Sequence, residues 1–321
     1  MIPQSQPVVI SASRRTDIPN YYASWFLQRL REGFVLVRNV RDYHQVRRVD
    51  LAPDALACIV FWTKNFKPMM EYVPYLERYS FYIHYTITAY GDDVEPRVPP
   101  IGESIDCLRR IADRIGPERI IWRYDPIFMN RTYPLGYHVE LFSHMASRLK
   151  GYTKRCVFSF LDHYGHIRDR MGTLEVEPLE DTTAHSIAAH IVTQCNTNGM
   201  ATQTCAENFD FDYLGISHGA CIDSQLIERI SGLALGGKRD KNQRPDCRCA
   251  PSVDIGTYNT CLNLCRYCYA NHNEKLVHAN YAKARSTSEF LVGGREEGDT
   301  LQDMSPVDKR QQLSLFGADG K

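Results

Sequence analysis

Along the chain, short apolar runs alternate with longer stretches in which apolar residues recur every three to four positions. The runs rich in β-branched and aromatic residues are VVIS (8–11), FVLV (34–37), ACIVFW (57–62), FYIHYTIT (81–88), RIIWRY (119–124), CVFSFL (156–161) and MATQTC (200–205), with a weaker one at SVDI (252–255). Such side chains fit a pleated surface, so these segments are expected to be strands. Between them, 21–32, 67–78, 104–115, 137–150 and 182–198 carry the helical period. Strands that are apolar at nearly every position bury both faces, which predicts a parallel sheet covered by helices. Seven or eight such units predict an α/β fold, a TIM-like (β/α) barrel, complete or partly open. A flat doubly wound sheet is the alternative, but no Gly-rich dinucleotide loop follows the first strand. The barrel, including a cysteine-rich metal-binding part at 205–271, is expected to span residues 1–283. From 284 to 321 the pattern lapses into a polar stretch that predicts a flexible tail.

In barrels the chemistry gathers where strands end and loops begin. Those ends supply Arg14, Arg15 and Asp17, then Thr63, Lys64 and Asn65, then Arg123 and Asp125, and finally Cys205 and Glu207. Paired guanidinium groups such as Arg14 and Arg15 recognise carboxylate or phosphate bidentately. Glu207 suits acid/base work or anchoring a ribose. The plainer reading of Arg14, Arg15 and Asp17, and of Arg123 with Asp125, is an ion-pair network closing the barrel mouth.

Charge changes the picture little: lysine plus arginine and aspartate plus glutamate number 38 each, so no global field steers the chain to nucleic acid or membrane. No apolar run approaches the roughly 20 residues a bilayer needs, and the N-terminus has no basic start, so a cytoplasmic protein is expected. A local exception is 236–248, whose five basic residues make a solvated loop or a phosphate-contacting patch.

Cysteine changes it more. Eleven cysteines in a reducing compartment argue against a disulfide framework. Cys58, Cys107, Cys156 and Cys195 lie singly in apolar segments and read as small buried hydrophobes. The other seven cluster between 205 and 268. Cys261, Cys265 and Cys268 share one short loop, with Tyr267 just before the last. A structural zinc site wants four ligands, usually as two pairs, whereas three thiolates in one loop suit a 4Fe–4S cluster with one open iron. A zinc or electron-transfer site is the plainer reading. Cys205, Cys221, Cys247 and Cys249 remain, enough for a second Fe–S cluster or a closed zinc site.

The segments SASRRTDIP (11–19), IVFWTKN (59–65), IWRYDP (121–126), TCAE (204–207), KRDKNQR (238–244) and CLNLCRYCYAN (261–271) make the chain, from about 8 to 275, resemble a bacterial family catalogued only as a domain of unknown function. The cysteine cluster of that family resembles the motif of radical S-adenosylmethionine enzymes. This resemblance implies a 4Fe–4S cluster on Cys261, Cys265 and Cys268, S-adenosylmethionine at the open iron, and reductive cleavage to a deoxyadenosyl radical with an electron from a donor such as flavodoxin or ferredoxin. The YCYAN ending is also similar to the loop of spore photoproduct lyases, which implies DNA or a nucleotide as substrate. In radical enzymes of this class the loop follows the first strand; here it follows 252–255, which implies a circularly permuted barrel. No Gly-Gly-Glu segment follows a strand.

The chain ends with Gln312, Leu313, Ser314, Leu315 and Phe316 near its terminus, which resemble the peptide that docks repair and replication proteins on the DNA polymerase sliding clamp. Large apolar residues in a polar tail need a partner surface, or else they latch back onto the barrel. Two other readings stay open: a clamp-associated binding protein with structural metals, and a radical enzyme acting on a small metabolite.

Overall fold

The computed structural model describes residues 7–303, apart from 163, 238, 242, 245 and 246. Its strands are β1 (Val8–Ala12), β2 (Phe34–Arg38), β3 (Gln45–Asp50), β4 (Leu56–Thr63), β5 (Phe81–Thr86), β6 (Ile120–Ile127), β7 (Arg155–Phe160), β8 (Ala201–Thr204), β9 (Ser217–His218), β10 (Val253–Asp254) and β11 (Thr300–Asp303). The α-helices are α1 (Ile18–Tyr21), α2 (Ala23–Glu32), α3 (Val73–Leu76), α4 (Ile101–Ile115), α5 (Leu135–Leu149), α6 (Arg168–Gly172), α7 (Asp181–Thr197), α8 (Ser224–Ser231) and α9 (Glu274–Lys283). Eight strands form one parallel sheet in the order β10-β1-β4-β5-β6-β7-β8-β9. The fold is therefore the expected α/β class, a parallel sheet flanked by helices. Among the described residues β9 and β10, at its two ends, are not paired with each other.

The alternation of side chains along each strand separates two packing faces. On one, Ile10, Phe61, Ile83, Trp122 and Phe158 join Phe26 of α2, Leu108 and Ile111 of α4, Phe142 of α5 and Ile191 of α7 in the main core. On the other, Val9, Val60, Tyr82, Ile121 and Val157 meet Leu226 and Ile227 of α8. Helix α8 thus covers this second face of the sheet. It is fixed there at its start: Asp223 accepts from the Leu226 amide at 3.1 Å and pairs with Arg155 at 2.6 Å. Tyr82 and His84 both donate to the Cys221 carbonyl, at 2.5 and 2.8 Å. Burying Leu226 and Ile227 contributes about 1.5–3 kcal/mol each.

Two expectations are corrected. FVLV does form a strand, but β2 pairs antiparallel with β3 in a separate three-stranded sheet. Only six residues connect β2 and β3, enough for a hairpin and too few for a parallel crossover. The supposed flexible tail is folded from 284 to 303. Phe290 packs with Leu36 and Val46, Trp25 Nε1 donates to the Ser288 carbonyl at 2.9 Å, and Arg38 holds Asp299 through two bonds of 2.6 and 2.8 Å. Strand β11 then pairs with β3. The order comes from long-range partners that a local polarity pattern does not register. Gln312, Leu313, Ser314, Leu315 and Phe316 lie outside the described residues. Among those described, no helix is long and apolar enough to cross a membrane.

Candidate functional site

Strand β10 lies beside β1, with Ser11 opposite Asp254. The Asp254 carboxylate accepts from Ser11 Oγ and Ser13 Oγ, both at 2.7 Å, and from the amides of Arg14 and Gly256, both at 2.9 Å. Burial opposes its ionisation, but Arg15, Ser11 and Arg14 outweigh burial and hold the carboxyl below the usual range. The chain passes so close at 256 that a Cβ there would stand 2.0 Å from Ser13 Oγ, so only glycine fits.

From this turn the cysteine loop crosses the strand ends, anchored by groups other than its thiols. Asn263 donates to Asp17 Oδ2 at 3.0 Å and accepts from Tyr21 at 2.9 Å and Asn20 at 3.2 Å. Asp17 also accepts from Thr63 Oγ1, the Lys64 amide and the Asn20 amide, at 2.7, 2.8 and 3.1 Å. Asp17 was a catalytic candidate; with four donors on a buried carboxylate, it is committed to holding the loop against β4 and α1. Burial pushes its pKa up and those bonds pull the other way. Arg170 of α6 donates to the carbonyls of Arg266 (2.6 Å), Asn271 (2.7 Å) and Cys268. Asn271 Nδ2 donates to the Cys261 carbonyl at 2.7 Å, Tyr22 to that of Thr260 at 2.7 Å.

Cys261 and Cys265 are buried and Cys268 is partly so, all as free thiols. Burial is the main cause raising all three pKa values. Cys265 is raised further by Glu95 and by mutual repulsion with Cys268 and Cys261, while Lys64 opposes the rise. The three thiols are thus close enough to feel one another's charge. Beside them Glu95 accepts from Lys64 Nζ at 2.9 Å, Thr88 Oγ1 at 2.7 Å and Tyr267.

The other four cysteines gather on the face of the sheet that α8 covers. Cys205 Sγ lies 3.2 Å from Cys221 Sγ. Cys249 and Cys247 pack in the same cluster, near enough for their charges and that of Cys221 to interact. Arg123 Nη1 donates to Cys221 Sγ at 3.0 Å, and the Ile222 amide to Cys249 Sγ at 3.4 Å. Arg123 also holds Asp125 through two bonds, one of 3.0 Å, which makes this pair the buried ion pair of the plainer reading. As they stand, no three or more His, Cys, Asp or Glu side chains converge on a metal position among the described residues.

Arg14 and Arg15, the candidates for an anion clamp, lie over different rings. Arg14 lies over Trp62, 5.5 Å from its ring centre, and faces Cys249 and Cys221. Arg15 lies over Tyr258 at 5.0 Å and donates to the Gly256 carbonyl at 3.3 Å. In the basic loop Arg244 folds back onto Asp162 at 2.5 Å. Glu95, Arg170, Asn263 and Asp254 were absent from the candidate residues. The last two lie in or beside the cysteine loop and were open to notice; Glu95 and Arg170 sit in polar segments without a signal.

Glu207 follows β8 and accepts from the Phe160 amide at 2.7 Å. Burial, with smaller contributions from Asp162 and Cys205, pushes its carboxyl up to about 7, a value suited to acid/base work. Between the ordinary carboxylate value of about 4.3 and that raised value, the folded chain holds a proton the unfolded chain has released. The contribution to stability therefore falls as pH rises through this window. Denaturant titrations at pH 5 and pH 8 are expected to show wild type losing about 1–3 kcal/mol relative to Glu207→Gln. Equal changes in both proteins would refute the raised value.

No curated protein and no solved structure matches the chain. A family model does, across residues 9–270, which takes in every strand of the parallel sheet except the first residue of β1, together with all seven clustered cysteines. The chain belongs to that family, described as "Domain of unknown function (DUF1848)".

Proposed function

We propose that the protein is a radical S-adenosylmethionine-like enzyme on a permuted, partly open (β/α) barrel, acting on DNA or a nucleotide. The observation that carries this reading is the site of the cysteine loop: it leaves β10, the last strand of the parallel sheet in sequence, which is the neighbour of the first. A loop emerging there occupies the place of a first-strand loop in an unpermuted barrel.

The donor chemistry fits a 4Fe–4S cluster on Cys261, Cys265 and Cys268. Burial disfavours bare thiolates at these positions, so a cation that offsets their charge is the means of keeping them ionised out of water. When bound, the cluster with S-adenosylmethionine supplies one-electron cleavage of a carbon–sulfur bond, fed by a donor such as flavodoxin or ferredoxin. The chain's own residues do the rest. Asp17, Asn263 and Arg170 orient the loop. Glu207 holds or releases a proton at the end of β8. The tail peptide 312–316 tethers the enzyme to the sliding clamp.

The test is the iron, sulfide and zinc content of protein purified without oxygen, followed by addition of S-adenosylmethionine and reductant. About four irons held by the loop and release of 5′-deoxyadenosine are expected. Zinc without iron would overturn the reading and favour a clamp-associated binding protein.

A further inference from the structure

We propose that Cys205, Cys221, Cys247 and Cys249 form a second metal centre, a mononuclear tetrathiolate zinc site, independent of the cysteine loop and of any chemistry there.

Position argues for it first. Cys205 follows β8 and Cys221 follows β9, while Cys247 and Cys249 precede β10. The four thiols therefore come from chain segments next to strands at both ends of the parallel sheet, which backbone pairing leaves unjoined among the described residues. One ion held by all four would tie those ends together across the face that α8 covers. It would also fix Asp223, and through it the start of α8, against β7.

Distance favours a single ion over a second cluster. In a tetrahedral site with Zn–S bonds of about 2.3 Å, ligand sulfurs stand about 3.8 Å apart. Cys205 and Cys221 are already at 3.2 Å, Cys249 Sγ accepts from the amide of Ile222, the residue after Cys221, and Cys247 packs in the same cluster. In a four-iron cluster each thiolate caps a separate iron, which keeps the sulfurs out of contact. One pair is already in contact while the four do not yet converge on one point, so side-chain rotation is the adjustment the ion demands.

Charge and hydrogen bonding agree. Four thiolates around a divalent ion leave two negative charges in a buried setting, which need compensation. Arg123 touches Cys221 Sγ, and Arg14 faces Cys221 and Cys249. The Ile222 amide donates to Cys249 Sγ. Such outer hydrogen bonds orient and stabilise metal-bound sulfur.

The experiment uses the full chain, purified without oxygen, as wild type, as the C261A/C265A/C268A variant and as the C221A/C249A variant. Metal analysis is expected to find about one zinc per chain in the first two and at least a tenfold loss in the third. Zinc-edge X-ray absorption on the wild type should show four sulfurs at about 2.3 Å. This spectrum decides the matter even where the double variant fails to fold. Iron in place of zinc in the C261A/C265A/C268A variant, no retained metal, or nitrogen or oxygen in the zinc shell would each overturn the site. Failure of the radical reading would show separately, as missing wild-type iron.

Discussion

Cys265→Ser is expected to abolish release of 5′-deoxyadenosine and to strip the loop of iron, with a loss of more than about 100-fold, because even outer partners of metal sites are worth 10–100-fold. Cys265 is buried between Lys64, Glu95 and the other two loop thiols. Serine there is a neutral oxygen donor of nearly the same size, so it removes the ligand without opening a cavity. The loop itself should survive. Its anchors are the Asn263–Asp17 bond, the Asn271 bond to the Cys261 carbonyl and the three carbonyls gathered by Arg170. None of these uses a thiol side chain. Circular dichroism and the denaturation midpoint of the metal-free variant should therefore match metal-free wild type. A variant that keeps wild-type iron and activity would sink the assignment of Cys265 as a ligand.

Lys64→Met should be the most costly change to stability outside the core, about 3–5 kcal/mol. The Lys64–Glu95 pair is deeply buried, with Lys64 8% and Glu95 3% exposed. Removing the ammonium leaves Glu95 with only the hydroxyls of Thr88 and Tyr267 as donors. A buried charge stripped of its counter-ion costs more than the intact pair was worth, since the remaining ion must still be desolvated. Lys64→Met combined with Glu95→Gln removes that charge and should recover much of the loss. Urea titration of the two single variants and the double variant measures the coupling. Strictly additive effects would mean that the two side chains do not act as a pair.

The pattern of apolar residues made most of the parallel sheet legible. Strands β1 and β4 to β7 are buried on both faces, so their sequences are apolar almost throughout, and even the two-residue β10 was signalled by SVDI. What failed was local in its own way. Strand β3 is QVRRVD and β11 is TLQD, too charged or polar to announce themselves; β3 forms because β2 offers an edge to pair with, and β11 because β3 in turn offers one. Helix α8 is one short amphipathic segment between polar loops, and its apolar side acquires a meaning only against the second face of the sheet.

The candidate site divides the same way. The spacing of Cys261, Cys265 and Cys268 is a chemical signal carried by adjacent residues, and it is complete within one loop. Glu95 meets Tyr267 across 172 positions and Arg170 meets Cys268 across 98, distances at which no window of sequence holds both partners. Arg14 and Arg15 mislead because adjacency in sequence does not give them a common partner: Arg14 lies over Trp62 near the four-cysteine group, and Arg15 over Tyr258.

By itself, then, the sequence determined the α/β class, most strands and the grouping of three thiols in one loop, because burial on both strand faces and residue spacing are properties of the sequence itself. Only the tertiary structure decided that β10 stands beside β1, that residues 284–303 fold onto a second sheet, and that four scattered cysteines meet between Arg14 and Arg123. Those outcomes depend on which distant segments satisfy one another's backbone edges and buried charges, and such pairings are settled only when the whole chain closes on itself.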